Sequence, residues 1–403
     1  LNIFKKDIMR IDMPEIDILG TIIILMVLSL IYTLLTPHLL SLQASMGIGQ
    51  LRKSMREIET FAIESRAIAL RSFSKHGRTK RDIRKEIENS LEFFAIEPVR
   101  EDPVGVLRRL EHILDVRKKR FESLVKKLSP KADEETAANL EMVLEGAIAT
   151  HTLYRLMKHY CLLAEKTKSY QLVMILQMQL PFLKEYAKAF TRATKTFAEG
   201  KPIGDGVGPL TAVLIANTDR WKEEVEDTVY AEVPFEGRTL LVVKAKGPGG
   251  RVGKPGELIR RLAKKRKINR IIMIDAAAKL EGERSGEVVE GVGAAIGGPP
   301  VDKYKIEEIA TELGIPLDAV IIKESLVESI TEMHKGLAEG ARKAAEVVKR
   351  AILERTKPKD TILIAGIGNT IGIGQSPKEI PREFPQPPVL PKGAIESAVL
   401  PIG

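Results

Sequence analysis

Apolar and polar positions divide the chain into four textures. Residues 18–35 carry no charge at all. At 1.5 Å per residue, about 20 such residues span a hydrocarbon core, so residues 16–42 are predicted to form one transmembrane helix ending near Pro37 and His38. The run is too long for a cleaved leader, and no small-residue cleavage site follows it. From Leu51 to about Gly200 apolar residues recur at helical spacing. Ser129-Pro130 reads as an N-cap with proline at the first helical position, and Glu134 and Glu135 follow in the first turn. That helix runs through Leu140, Val143, Leu144 and Ala147 to Leu163. A second covers residues 170–197. Gln171, Gln177 and Gln179 interrupt its apolar run, which makes it a buried helix and not a second span.

At Lys201 the texture changes. Short β-branched runs at residues 239–244, 270–274, 319–322 and 361–365 alternate with helical segments at 256–267, 306–313 and 336–354. Such runs predict a parallel sheet covered on both faces. Residues 229–233 add an edge strand through a turn at Glu236-Gly237. From Ser376 onward, Pro377, Pro381, Pro385, Pro387, Pro388 and Pro391 predict an extended tail. The fold class is therefore α/β: an N-terminal transmembrane helix, a helical middle region, and a C-terminal, mainly parallel sheet with helices on both faces. The predicted divisions are a short extracytoplasmic N-terminus (1–15), the transmembrane helix (16–42), a basic juxtamembrane and helical region (43–200), an α/β domain (201–375) and a Pro-rich tail (376–403).

Charge sets the orientation. The chain has a formal net charge of +9, and residues 43–130 hold 20 Lys/Arg against 13 Asp/Glu. Only Lys5, Lys6 and Arg10 precede the apolar run, whereas eleven Lys/Arg lie between Arg52 and Lys85. The positive-inside rule places everything after the helix in the cytoplasm and the N-terminus outside, a single-pass anchor in lipid. Topology and lipid contact account for the basic excess, and no aromatic-interleaved basic motif favours nucleic acid. The single cysteine, Cys161, excludes an internal disulfide and a cysteine-based zinc site. His151 and His159 lie eight apart, not at the i, i+4 spacing of a metal pair, and read as core or surface residues.

The candidate chemistry begins at Gly204-Asp-Gly-Val-Gly-Pro-Leu210. Gly204, Gly206 and Gly208 predict backbone angles closed to other residues, or close passage past a bound group. A helix opening just beyond adds a positive dipole end. Asp205 inside this turn is odd for a phosphate site and suits a metal ion or acid–base work. Ligands of open parallel sheets bind beyond the carboxyl ends of the strands. Asp275 lies there, with Lys246-Gly-Pro-Gly-Gly250 and Gly366-Ile-Gly-Asn369. Gly249, Gly250, Gly366, Gly368 and Asn369 are thus candidate ligand-binding positions. Lys244, Lys246, Arg251 and Lys254 around the second loop suit an anionic ligand such as a nucleotide or phosphate.

Ile362-Leu-Ile-Ala-Gly-Ile-Gly-Asn369 resembles the first strand and turn of the hydrogenase maturation endopeptidases. In that family the strand leads directly into an acidic Gly-Asp-Gly-Val-Gly-Pro turn, matched here by residues 204–209. Residues 239–250 resemble its second strand and Gly-Gly loop, and Ile271-Ile-Met-Ile-Asp-Ala-Ala277 its strand ending in Asp-Ala. Gly286-Glu-Val288 stands for its Gly-Thr-Val, and Val320-Ile-Ile-Lys-Glu-Ser325 with residues 336–354 resembles its closing strand and helix. The first strand comes last here, so the resemblance implies a circular permutation. The three regions together also resemble an archaeal membrane-protein family of uncharacterised function.

Carried over by position, the resemblance implies that Asp205 and Asp275 are the two metal-binding acids. The third ligand of the family is a histidine before the helix that here begins near Lys305. Pro300-Val-Asp-Lys-Tyr304 has none, which removes the imidazole that nickel or zinc recognition would use. The related spore germination peptidases use two aspartates without that histidine, so a two-acid mechanism survives. Asp302 is a weaker oxygen ligand or a helix cap, and His334 reads as structural. Two readings follow: a membrane-tethered peptidase-like domain working through Asp205 and Asp275, with a divalent ion as the possible cofactor and a protein as substrate, or a non-enzymatic module binding an anionic ligand. A membrane scaffold is the third.

Overall fold

The computed structural model describes residues 18–77, 80–96, 98 and 105–387. The predicted segment 1–15 with its basic residues, Arg78, the side chains of Lys80 and Arg81, and Pro388 and Pro391 lie outside the described residues. Two compact units divide the chain, residues 1–55 with 158–180, and residues 56–157 with 181–403.

The first helix, α1 (Ile18–His76), runs unbroken for 59 residues, so Pro37 does not end it. A proline inside a helix removes one amide, here the partner of the Thr33 carbonyl, and a helix of this length absorbs that loss. The apolar stretch is long and apolar enough to cross a membrane, and none of it is buried in protein. In the first unit, Ala44, Gly47, Leu51 and Ser54 of α1 are buried at the three-four spacing of a helical seam. They face the end of α4 (Glu134–Thr167) and the start of α5 (Tyr170–Glu199). A Cβ on Gly47 would come within 2.4 Å of the Val173 side chain. Arg52 pairs with Glu165 at 2.9 Å.

The second unit holds α2 (Lys80–Ser90), α3 (Val106–Leu128) and the sheet domain. Phe73, Ile87, Phe121, Leu128, Leu144 and Phe197 form the core of its helical part. Ser129 closes α3 and does not open α4, because its amide bonds back to the Val125 carbonyl. The cap of α4 is Asp133, whose Oδ1 accepts from the Thr136 amide at 2.8 Å.

After a 3-10 turn at Gly204–Gly206 come α6 (Val207–Ala216), β1 (Lys222–Val225), β2 (Thr228–Phe235) and β3 (Arg238–Ala245). Then follow α7 (Pro255–Lys265), β4 (Arg270–Ala278), β5 (Val288–Val292), α8 (Pro300–Glu312) and β6 (Leu317–Glu324). Then come α9 (Leu326–Ile330), α10 (Lys335–Arg355) and β7 (Thr361–Gly366), and a 3-10 turn at Pro377–Glu379, capped by Ser376, interrupts the tail predicted to be extended. The sheet order is β1-β2-β3-β7-β4-β6-β5, parallel from β3 to β6 and antiparallel at both edges. Continuous apolar runs mark the four central strands because helices cover both faces. Ile272, Ile274, Ile362 and Ile364 pack toward α6 and α10. Ile271, Met273, Leu363 and Ala365 pack toward α7 and α8. The strand predicted at 229–233 lies one place in from the edge, because the charged β1 pairs outside it.

The last strand among the described residues, β7, sits at the centre of the sheet, between β3 and β4. Its entry depends on close backbone approach. A Cβ on Gly208 would meet the Ile367 carbonyl at 2.1 Å and the Ile274 carbonyl at 2.7 Å. Backbone cannot give way as a flexible side chain can. Gly208→Ala is therefore expected to destabilise the sheet domain by at least about 3 kcal/mol, the upper part of the usual overpacking range. A thermal melt of the full chain in detergent checks this, and an unchanged midpoint would refute the role given to Gly208.

Candidate functional site

Parallel strands β3, β7, β4 and β6 end on one side of the sheet, and α3 and α4 close over that side within the same unit. Between them lies a cavity of about 1010 Å³. Asp205, Asp275, Gly250, Arg251, Asp302, Gly368 and Asn369 line it, whereas Gly204, Gly206, Gly208, Lys246, Gly249 and Gly366 do not.

Asp205 is held by the loop after β7. Its Oδ2 accepts from the Asn369 amide at 2.7 Å. Gly368 passes so close to the Asp205 carbonyl that a Cβ there would lie 1.8 Å from it. The expectation for the Gly204–Gly208 turn is corrected in one respect. These three glycines are not among those with positive φ, and what they supply is room. The Gly204 amide donates to Thr331 and the Gly206 amide to Ile203, so neither is free for a phosphate.

Asp275 follows the buried residues of β4. Its Oδ1 accepts from the Ala276 amide at 2.8 Å and its Oδ2 from the Gly297 amide at 2.9 Å. Burial pushes the Asp275 carboxyl up to about 7, and the negative charge of Asp205 adds to the shift. Burial likewise raises Asp205, against the lowering effect of the Asn369 amide. Burial thus disfavours the charged form of both acids.

The remaining candidates are committed elsewhere. Asp302 caps α7, its Oδ1 accepting from the Gly256 amide at 2.8 Å. Lys246 pairs with Glu134 at 3.1 Å and Glu223 at 3.0 Å. Arg251 pairs with Asp227 at 2.9 Å and Glu134 at 3.2 Å, and Lys254 with Asp115 at 2.8 Å. Lys244 is buried, its ammonium donating to the Ala245 carbonyl and lying 5.3 Å from the Trp221 ring. The Gly250 amide donates to Asn139 and the Gly249 carbonyl accepts from Thr370, so this loop packs against α4 and the chain after β7. The cations expected to receive an anion already have carboxylate or carbonyl partners.

His334 caps α10, with Nδ1 accepting from the Gly336 amide and Nε2 2.9 Å from Glu328. His151 lies 3.2 Å from Glu92, and His159 is exposed. Among the described residues, Glu122, Glu226 and Asp227 bring carboxylate oxygens within 4.8 Å of one another. Lys118 already serves that group, 2.5 Å from Asp227, 3.4 Å from Glu226 and 3.6 Å from Glu122.

Two features escaped the sequence reading. Glu324, the last residue of β6, is 2% exposed, and both its carboxyl oxygens lack a hydrogen-bond partner. The available signal was a charged residue ending a buried parallel strand, the pattern that singled out Asp275. The second is the acidity of the cavity, lined by twelve Asp/Glu against five Lys/Arg. Glu141 of α4 is pushed up to about 7 by burial and by Glu122.

Fold and site together define a mixed α/β protein with an apolar N-terminal helix and a carboxylate-lined cavity at its strand ends. The N-terminal domain model of DUF1512, a protein of unknown function, matches residues 21–200, and the DUF1512 C-terminal domain model matches residues 203–374. The chain thus carries both domains of the DUF1512 family. Comparison with curated proteins and with solved structures gave no match.

The raised Asp275 has a stability consequence with a definite sign. Unfolded, it titrates at about 3.9. Between there and 7 the folded chain holds a proton that the unfolded chain has released, so its contribution falls as pH rises through that window and is level above it. Relative to wild type, Asp275→Asn should melt several degrees higher at pH 8 than it does at pH 5. An equal offset at both pH values would show that Asp275 is not held protonated by the fold.

Proposed function

We propose that residues 201–375 form a two-aspartate hydrolase domain, tethered to the cell membrane by α1 with the bulk of the chain in the cytoplasm, that cleaves a peptide bond. The observation that carries this reading is the meeting of Asp205 and Asp275 in one cavity, with Asp275 raised to about 7 by burial and by its neighbour. One ionised acid accepts a proton from a water molecule that attacks the substrate carbonyl. The protonated acid then gives its proton to the leaving amine. A pair sharing one proton performs both steps, as two like charges in one buried site cannot both ionise easily.

The joint between the β7 loop and the glycine turn also supports the permuted-peptidase resemblance. The Asn369 amide donates directly to Asp205, so residues 361–369 and 204–209 meet in space where the resembling family joins them in sequence. The acid excess of the cavity favours a substrate segment rich in Lys or Arg, since twelve carboxylates against five cations attract positive charge. The same excess, with Lys246 and Arg251 already paired, disfavours the anionic-ligand module.

The test is cleavage of a mixed peptide library by the full chain in detergent, read by mass spectrometry. Asp205→Asn and Asp275→Asn should each lower cleavage by at least about a hundredfold, the usual scale of lost acid–base catalysis, while the melts stay cooperative. Wild-type cleavage should decline above pH 7 as the shared proton is lost. Cleavage persisting in both variants would end the two-aspartate reading.

A further inference from the structure

The apolar run at the start of α5, predicted to be buried, is buried on one side alone. Val173, Leu176 and Leu180 are buried, whereas Met174, Ile175 and Met178 are 43%, 55% and 66% exposed. The end of α4 repeats the pattern. Cys161 and Ala164 are buried, and Tyr160, Leu162 and Leu163 are exposed. Lys168 and Ser169 join the two helices, so these side chains cluster at the tip of one helical hairpin.

Within the first unit this hairpin lies along α1. The Cys161 thiol donates to the Leu51 carbonyl at 3.9 Å, and Gln177 donates to Gln50 at 2.9 Å. Nearer the tip, Val173 fills the space beside Gly47. Ala44 is the buried residue of α1 nearest its N-terminus among the described residues, so the covering stops there. The helix it covers is still uncharged. Residues 18–51 are 34 residues without Asp, Glu, Lys or Arg, and Arg52 is the first charge. At 1.5 Å per residue that is about 51 Å of helix, against about 40–45 Å for a bilayer with its headgroups. Centred on a bilayer, such a run carries its last residues, and the hairpin tip beside them, to headgroup depth.

We propose that the α4–α5 tip is a second point of membrane contact, its apolar side chains entering the headgroup–acyl boundary and Lys166 and Lys168 meeting anionic headgroups. Two observations favour lipid over a second copy of the chain. Helical geometry, about 100° per residue, puts Tyr160 and Leu162 on opposite flanks of the buried Cys161, so apolar groups face outward in several directions. A surrounding medium covers such a tip, whereas a partner protein covers one face. Charge agrees, since residues 158–180 hold Lys158, Lys166 and Lys168 against Glu165 alone, and Glu165 is paired with Arg52 at 2.9 Å. Gln171 and Gln179 beside the exposed methionines suit the interface and not the hydrocarbon core. The proposal rests on the reading of α1 as a membrane span. It adds that the hairpin limits how α1 rotates and tilts in the bilayer.

The experiment places a nitroxide label on Leu28→Cys, Leu163→Cys or Ile175→Cys of the full chain. All three positions are exposed, and the native Cys161 is buried. The chain is reconstituted into vesicles of phosphatidylcholine and phosphatidylglycerol. Electron paramagnetic resonance then compares collisions with oxygen, which concentrates in lipid, and with a water-soluble nickel chelate. The oxygen-to-nickel ratio should be highest at 28, and at 163 and 175 several-fold above that of free label in buffer. A ratio equal to free label at 163 or 175, with 28 in lipid, overturns the hairpin contact and leaves the anchor standing. An aqueous ratio at 28 overturns both. Spin–spin broadening at 175 that vanishes on dilution with unlabelled chain would put a second copy on this face and also overturn the proposal.

Discussion

The structure of the site depends on one close approach, that of the Gly204–Gly208 turn to the end of β7. Gly366 and Gly208 pass backbone to backbone, and a Cβ at 366 would lie 2.3 Å from the Gly208 carbonyl. The Ile367 amide donates to the Ile274 carbonyl, and the Asn369 amide to Asp205. The Thr370 hydroxyl lies within 3.1 Å of the Lys246, Gly249 and Arg251 carbonyls. Three loops from distant parts of the chain are thereby locked into one body at the strand ends. Each contact involves backbone, so the carboxylates they carry are positioned by main-chain geometry and not by side-chain choice.

Charge around the cavity is divided in a way that bears on chemistry. Lys118, Lys246, Arg251 and Lys254 each meet carboxylates at hydrogen-bond distance. Those pairs are partly exposed and individually contribute little to stability, about 0–1 kcal/mol each. Their effect is to occupy the cations. Asp205 and Asp275 have only backbone amides as partners, and Glu324 has no partner at all. Buried acids without cations take up protons or attract positive charge, which is the common ground of acid–base catalysis and cation binding.

Much of this was legible along the chain. The uncharged run at residues 18–35 reads as a helix, since a helix satisfies every backbone group within one segment, and it lies within α1. Apolar runs of four to six residues marked β3, β4, β6 and β7, because strands buried on both faces lose the polar alternation of exposed ones. Asp275 was visible as an acid placed where such sheets bind ligands, and Asp205 as the acid inside a glycine turn. The edge strands β1 and β5 were not visible. Lys222-Glu-Glu-Val225 is mostly charged and is a strand only because β2 pairs with it. The continuation of α1 past Pro37 was hidden too, since proline marks a lost amide locally without revealing how much helix follows.

Local periodicity and composition thus determined which segments are buried and which class of fold they build, and they singled out two acids that the fold brings to one cavity. These properties follow from nearest neighbours along the chain. Tertiary structure decided which charges are spent and which remain. Lys246 read as an anion receptor until the chain returned Glu134, 112 residues away, to neutralise it. Glu324 drew no notice along the chain, and only folding removed its water and supplied no donor in its place. Pairing and desolvation depend on residues brought together across the chain, and neither is encoded by spacing.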